Sequence, residues 1–285
     1  MAASETRTRV LVAIPGVILA LGAIYLGGWF LAALLALCAA LTARETYRMA
    51  ARKGPRPLEV PGMAGAALVV LAMGITPTAG LSSPVPAWTL LLLTVVVAAA
   101  AIWARGVEGE PLLSVAVTVF GAGYAALLGF GLFLRHLPGV RDPLHASAIL
   151  LAPVLLTWVS DTFAYFGGRA LGRHKLIPKV SPGKTVEGAL SAVVGTLLAG
   201  AAYSLFMERF NTYVPTVAEG AFFGLLVSVA AQAGDLAESL WKRDVGVKDS
   251  GTLLPGHGGA LDRFDSLLFT LPLGYAFFTL FVGQW

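Results

Sequence analysis

The chain has 285 residues, 57% of them hydrophobic and 13% charged, with a mean hydropathy of +0.78 and a net charge of +4. Soluble globular domains carry about twice that share of charge, so a soluble fold is excluded. The long unbroken apolar runs also exclude a membrane barrel, whose strands are short and alternating. The expected fold is all-α and polytopic, each helix using about 20 apolar residues to cross the hydrocarbon.

Nine spans are predicted, at 10–27, 29–47, 61–76, 87–104, 112–134, 146–167, 186–207, 218–241 and 262–283. Arg7 and Arg9 ahead of the first span look like the charged start of a signal peptide, but no small-residue cleavage site follows and the segment is read as retained. Gly27 and Gly28 predict a tight reversal between the first two spans. The one cysteine, Cys38, lies in an apolar run, which rules out an internal disulfide or a thiolate metal cluster and reads as packing. Arg44, Arg48 and Arg52 recur every four residues beyond the second span, so a helix puts them on one face. A snorkelling anchor is favoured there over substrate binding.

Nine spans place the N-terminus and the loops after spans two, four, six and eight on one side. That side holds seventeen Lys and Arg residues, against Arg135, Arg141 and Arg209 on the other. The positive-inside rule makes the first side, and the N-terminus, cytoplasmic. Orientation also accounts for the net positive charge, so nucleic-acid binding is not expected. Residues 1–145 read as an apolar transmembrane scaffold, and 146–285 as the catalytic transmembrane region, because nearly all polar groups in or beside spans lie there.

A carboxylate in a membrane helix is costly unless paired, metal-bound or facing water. Asp161 ends span six, ahead of Gly167-Gly168-Arg169, and is read either as an ion-pair partner of Arg169 or Arg173 or as a site residue. The following stretch from Lys175 to Gly188 is expected to be a basic loop. Its Gly183-Lys184-Thr185 lacks the glycine that a P-loop needs five residues earlier, where Pro178 stands. Ser181, Lys184 and Thr185 beside a helix start still suit phosphate, whereas ordinary positive-inside charge is the alternative.

Span eight carries Gln232, Asp235, Ser239 and Lys242 at helical spacing, with Glu238 beside them. Beyond it Arg243, Lys248, His257, Gly258, Gly259 and Arg263 compose a basic, glycine-rich stretch in which amides and cations can meet a polyphosphate. Asp235 and Asp262 are the leading magnesium ligands, and Asp265, three residues on in the expected last helix, adds another carboxylate. His257 alone reads as positioning phosphate rather than binding metal.

From Ser239 to Asp265, the strings Ser239-Leu240-Trp241-Lys242-Arg243, Lys248-Asp249-Ser250-Gly251 and Leu254-Pro255-Gly256-His257-Gly258-Gly259-Ala260-Leu261-Asp262-Arg263-Phe264-Asp265 closely resemble the signature of the phosphatidate cytidylyltransferase family. Trp241 and Ala260 depart from it in size only. Asp161-Thr162-Phe163-Ala164-Tyr165 and the stretch from Ser181 to Gly188 resemble the family's upstream segments, in the same order. The resemblance covers the C-terminal half strongly and the N-terminal half by hydropathy alone. It implies transfer of CMP from CTP to phosphatidic acid, giving CDP-diacylglycerol and pyrophosphate, in a homodimer. It also implies magnesium on Asp235 and Asp262 with Ser239 near it, and a monovalent cation such as K+ beside the magnesium.

The expected reacting centre is therefore Asp235, Asp262, Lys242 and Ser239, with Asp265 as a further metal ligand. Substrate contacts are expected from Asp161, Ser181, Lys184, Thr185, Arg243, Lys248, His257, Gly258, Gly259 and Arg263. A transporter is the rival from another class, since charges inside spans also mark ion pathways; no inverted repeat is apparent in the sequence. A CTP-dependent polyprenol kinase or an archaeal-type CDP-lipid synthase is the rival within the enzyme class.

Overall fold

The computed structural model describes residues 2–251 and 258–282, with side chains from residue 14 onward. The helices are α1 (Ala2–Leu26), α2 (Gly28–Ala50), α3 (Glu59–Ile75), α4 (Val85–Ala104), α5 (Pro111–Ala125), α6 (Phe130–Arg135), α7 (Pro143–Leu171), α8 (Val186–Met207), α9 (Val217–Asp244), α10 (Leu261–Phe264) and α11 (Leu267–Phe277). Between α7 and α8 stand two short strands, β1 (Lys175–Ile177) and β2 (Ser181–Thr185). Among the described residues, seven helical stretches are long and apolar enough to cross a membrane: Gly28–Lys53, Val85–Ala104, Pro111–Arg135, Pro143–Leu171, Val186–Met207, Val217–Asp244 and Leu261–Val282. The predicted spans 10–27 and 61–76 fall on shorter apolar helices, Ile14–Leu26 and Glu59–Ile75. The protein is an all-α polytopic membrane protein, and a count of nine would need both shorter helices to cross as well.

Two compact units compose the chain, one of Met1–Pro138 with Trp241–Phe264, the other of Gly139–Leu240 with Asp265–Trp285. In the first, helix α1 breaks from α2 at Gly27, where Gly27 and Gly28 both take positive φ (64° and 51°). The carbonyls at the end of α1 are met by Arg135, whose Nε donates to Ile24 O and Nη2 to Tyr25 O, both at 2.6 Å. His136 Nε2 accepts the Gly28 amide at 3.1 Å. Burial holds the His136 imidazole below the ordinary histidine value, reinforced by the neighbouring Arg135 charge.

Helix α2 buries Ala32, Ala36, Ala39 and Ala43 on one stripe. Small side chains let neighbouring helix backbones approach, which is how membrane helices gain packing without a hydrophobic drive between them. The large residue of that face is Tyr47, fully buried, whose hydroxyl donates to Thr118 O at 2.7 Å. Its ring occupies the space where a Cβ would stand on Gly62 of α3 or Gly121 of α5.

In the second unit α7 begins at an Asp142 cap, which accepts the Leu144 and His145 amides at 3.2 Å. Helix α9 begins with a capping box. Thr216 Oγ1 accepts the Glu219 amide at 3.2 Å while Glu219 Oε2 accepts the Thr216 amide at 2.7 Å. Helices α8 and α9 meet backbone to backbone: a Cβ on Gly200 would strike Gly220 O, and one on Gly224 would strike Thr196 O.

Two expectations are revised by the structure. The basic stretch from Lys175 to Thr185 is an antiparallel hairpin rather than a loop, with Lys175 opposite Thr185 and Ile177 opposite Ser181. Its base is closed by the Val186 amide donating to His174 O (2.9 Å) and by Glu187, which accepts the Arg173 and His174 amides and pairs with His174 Nδ1 at 2.6 Å. The last span is also not one continuous helix, so Asp262 and Asp265 are not a helical pair. Helix α10 ends at Phe264, and Asp265 lies in the break, its Oδ1 accepting the Ser266 amide at 2.6 Å. A short polar side chain that bonds the adjacent backbone competes with the helix there.

Candidate active site

In the second unit α7, α8, α9 and the hairpin enclose a pocket of about 690 Å³, with Asp161, Arg169, Ser181, Lys184, Gln232 and Asp235 among its lining. Ligand pockets run from roughly 300 to 1,000 Å³. Lys184 is carried into it by β2, and its Nζ lies 2.6 Å from Asp235 Oδ2. One turn further along α9, Ser239 Oγ donates to Asp235 Oδ1 at 3.2 Å, so both carboxylate oxygens are oriented. Gln232 Nε2 is held by Ser228 Oγ at 3.1 Å and Ala189 O at 3.4 Å. Three members of the predicted stripe on α9, Gln232, Asp235 and Ser239, are thus placed; the fourth, Lys242, pairs with Asp262.

Asp161 and Asp265 lie within electrostatic reach of Asp235 and of each other. Among the described residues Asp161 has no hydrogen-bond or ion-pair partner. The expected alternative of a pair with Arg169 or Arg173 is not formed: Arg169 Nη1 donates to Tyr165 Oη at 3.3 Å, and the amide of Arg173 goes to Glu187. Ser181 and Thr185 both line the pocket, where the Thr185 hydroxyl also caps α8 by accepting the Gly188 amide at 3.1 Å. Among the described residues no group of three or more His, Cys, Asp or Glu side chains is placed to hold one metal ion.

The remaining predicted residues belong to the first unit. Lys242 Nζ meets Asp262 Oδ1 at 2.8 Å with side chains only 12% and 8% exposed, a buried ion pair. Asp262 Oδ2 accepts three donors at 2.9 Å: the Ser250 amide, the Ser250 hydroxyl and the Gly259 amide. Gly258 takes a left-handed φ of 79°, a conformation that costs an L side chain strain. Arg243 Nη1 donates to Val247 O at 3.1 Å, while Lys248 and Arg263 are exposed. His257 lies outside the described residues.

Sequence reasoning missed Glu45. This α2 side chain, 5% exposed, accepts the Ser250 hydroxyl at 2.8 Å and the amides of Ala260 and Leu261 at 2.9 and 2.8 Å. The signal was present, because a carboxylate between Ala43 and Thr46 on a membrane helix is itself a reason for attention. The neighbouring Arg44 and Arg48 turn to Glu59 instead, at 3.2 and 3.4 Å.

Fold and pocket together define a polytopic membrane protein that keeps charged side chains at a ligand-sized pocket inside its helices. Comparison with known proteins then gives the family. The model of the cytidylyltransferase family matches residues 7–281, and the chain belongs to that family of nucleotidyl-transferring enzymes. A phosphatidate cytidylyltransferase of Synechocystis sp. is 33% identical over 299 aligned residues, which take in 95% of this chain and 96% of that protein. A phosphatidate cytidylyltransferase of Haemophilus influenzae is 44% identical over 144 residues, about half of either chain (50% and 49%). The uncharacterized protein YnbB of Escherichia coli is 41% identical over 162 residues, 56% of this chain and 50% of its own.

Proposed function

We propose that the protein transfers CMP from CTP to phosphatidic acid. A phosphate oxygen of the lipid bonds to the α-phosphorus, the bond to the β-phosphate oxygen breaks, and pyrophosphate leaves with the electron pair. The nucleophile is already an anion, so the protein's task is alignment and charge neutralisation rather than proton removal. The observation that carries the reading is the pocket whose wall joins Lys184 to Asp235 at 2.6 Å, a fixed cation beside a carboxylate in the body of a membrane helix. Lys184 binds and orients phosphate, Ser181 and Thr185 supply hydroxyls, and Ser239 fixes the Asp235 carboxylate.

The chemistry of the donors suits magnesium, since Asp235 offers hard carboxylate oxygens and Asp161 and Asp265 lie within its electrostatic reach. Asp235, with Asp265, would hold the ion. When bound it neutralises charge on the triphosphate. For Asp262 the family resemblance is the ground of the same role. The resemblance extends the proposal to a homodimer, to a monovalent cation such as K+, and to a pocket facing the cytoplasm, as the basic loops favour.

Purified protein with labelled CTP, magnesium and phosphatidic acid tests the reading. Pyrophosphate and CDP-diacylglycerol should form together, and only with the lipid phosphate present. CDP released with a polyprenol acceptor would instead establish the kinase reading, and turnover of no lipid at all would overturn enzymatic function.

A further inference from the structure

We infer that Glu45 is a positioning residue of the transfer site, acting through Ser250 on Asp262; the inference rests on the functional reading above. The Glu45 carboxylate is buried on α2, over 200 residues from its partners, and accepts the Ser250 hydroxyl (2.8 Å) and the amides of Ala260 and Leu261 (2.9 and 2.8 Å). Those amides open the short helix that carries Asp262.

Two further observations show that the fit is specific. A Cβ on Gly251 or Gly259 would run into the Glu45 carboxylate, so these two glycines of the signature leave the room that Glu45 occupies. Second, the Ser250 hydroxyl stands between two acids, 2.8 Å from Glu45 Oε2 and 2.9 Å from Asp262 Oδ2. A hydroxyl has one proton, which serves one acid at a time. Glu45 therefore sets how far Asp262 is drawn toward Ser250 and how far it stays available. A contact needed for packing alone would be met more cheaply by an apolar side chain, because a buried carboxylate carries a desolvation penalty.

Glu45→Gln keeps the shape but turns an N–H2 group toward backbone donors. Full-length Glu45→Gln, Ser250→Ala and the double variant are compared with the parent for kcat and KM toward CTP, for binding of labelled CTP, and for thermal stability. Groups that orient first-contact ligands typically matter by about 10- to 100-fold. Glu45→Gln should lower kcat/KM by that factor, and the double variant should lose no more than about twofold beyond it, as coupled residues do. Multiplying losses, or a Glu45→Gln rate within about twofold of the parent, overturns the inference. Should Glu45→Gln fail to fold, Ser250→Ala decides: at unchanged melting temperature it should lose about fivefold or more, and a parental rate overturns the inference. A parent protein that binds CTP but converts no phosphatidic acid would sink the functional reading. Glu45 would then be judged on CTP binding, which Glu45→Gln should weaken.

Discussion

Lys184 Nζ and Asp235 Oδ2 meet at 2.6 Å, a lysine from a two-stranded hairpin against an aspartate in the body of a membrane helix. Both side chains keep partial access to the pocket, at 26% and 34% exposure, so the pair is fixed and yet reachable by a ligand. Replacing Asp235 by Asn should reduce turnover by about 100-fold or more, on the scale of removing one preorganised electrostatic contact. Lys184→Met should chiefly raise KM for CTP. Steady-state rates on protein of unchanged elution profile check both, and near-normal turnover of Asp235→Asn would remove Asp235 from the site.

Asp262 and Lys242 form a buried pair, and removing one partner of such a pair destabilises by roughly 3–5 kcal/mol. Lys242→Met should therefore lower the melting temperature in detergent more than Lys184→Met does. Asp262→Asn keeps a neutral acceptor and should fold while losing activity. An inactive but unfolded Asp262→Asn would mean that this acid only holds the structure together.

Chelation should abolish pyrophosphate release and added magnesium should restore it. In Asp235→Asn the magnesium concentration for half-maximal rate should rise about tenfold or more, as expected when a ligand is weakened. Full activity after exhaustive chelation would exclude the metal from the reaction.

His136 must be neutral at Nε2 to accept the Gly28 amide, and its folded pKa is lowered. The sign follows from linkage: a lowered folded value gives stability that is complete above the unfolded value and lost as pH falls through the folded one. Thermal unfolding should thus show the parent losing stability between about pH 7 and pH 5, where histidine titrates. His136→Gln, which keeps an acceptor that does not titrate in that range, should lose less. Parallel pH curves for the two would rule out His136 as the cause.

Much of this architecture was legible in the chain. The apolar runs placed nearly every helix, because a bilayer permits little else over such lengths, and Gly27-Gly28 marked the break between α1 and α2. Helical spacing alone put Gln232, Asp235, Ser239 and Lys242 on one stripe, of which Lys242 turns to Asp262. The hairpin was not legible, since Lys175 to Thr185 has no alternating apolar pattern and two prolines. Its strands are closed by Glu187 and His174, and Pro182 is tolerated because a two-stranded ribbon has only edges. The break at Asp265 was equally hidden: in sequence, Asp262 and Asp265 fit one helix, whereas in the structure Asp265 turns to the Ser266 amide at the break. Glu45 is not legible as a site residue because its partners lie more than 200 residues away in the chain.

The glycine seam between α8 and α9 has a consequence for the lipid. With Gly200, Gly220 and Gly224 bringing main chains into contact, no crevice remains at that level for an acyl tail to wedge into. Enlarging any of the three residues would drive these main chains apart and displace the helix that carries Asp235.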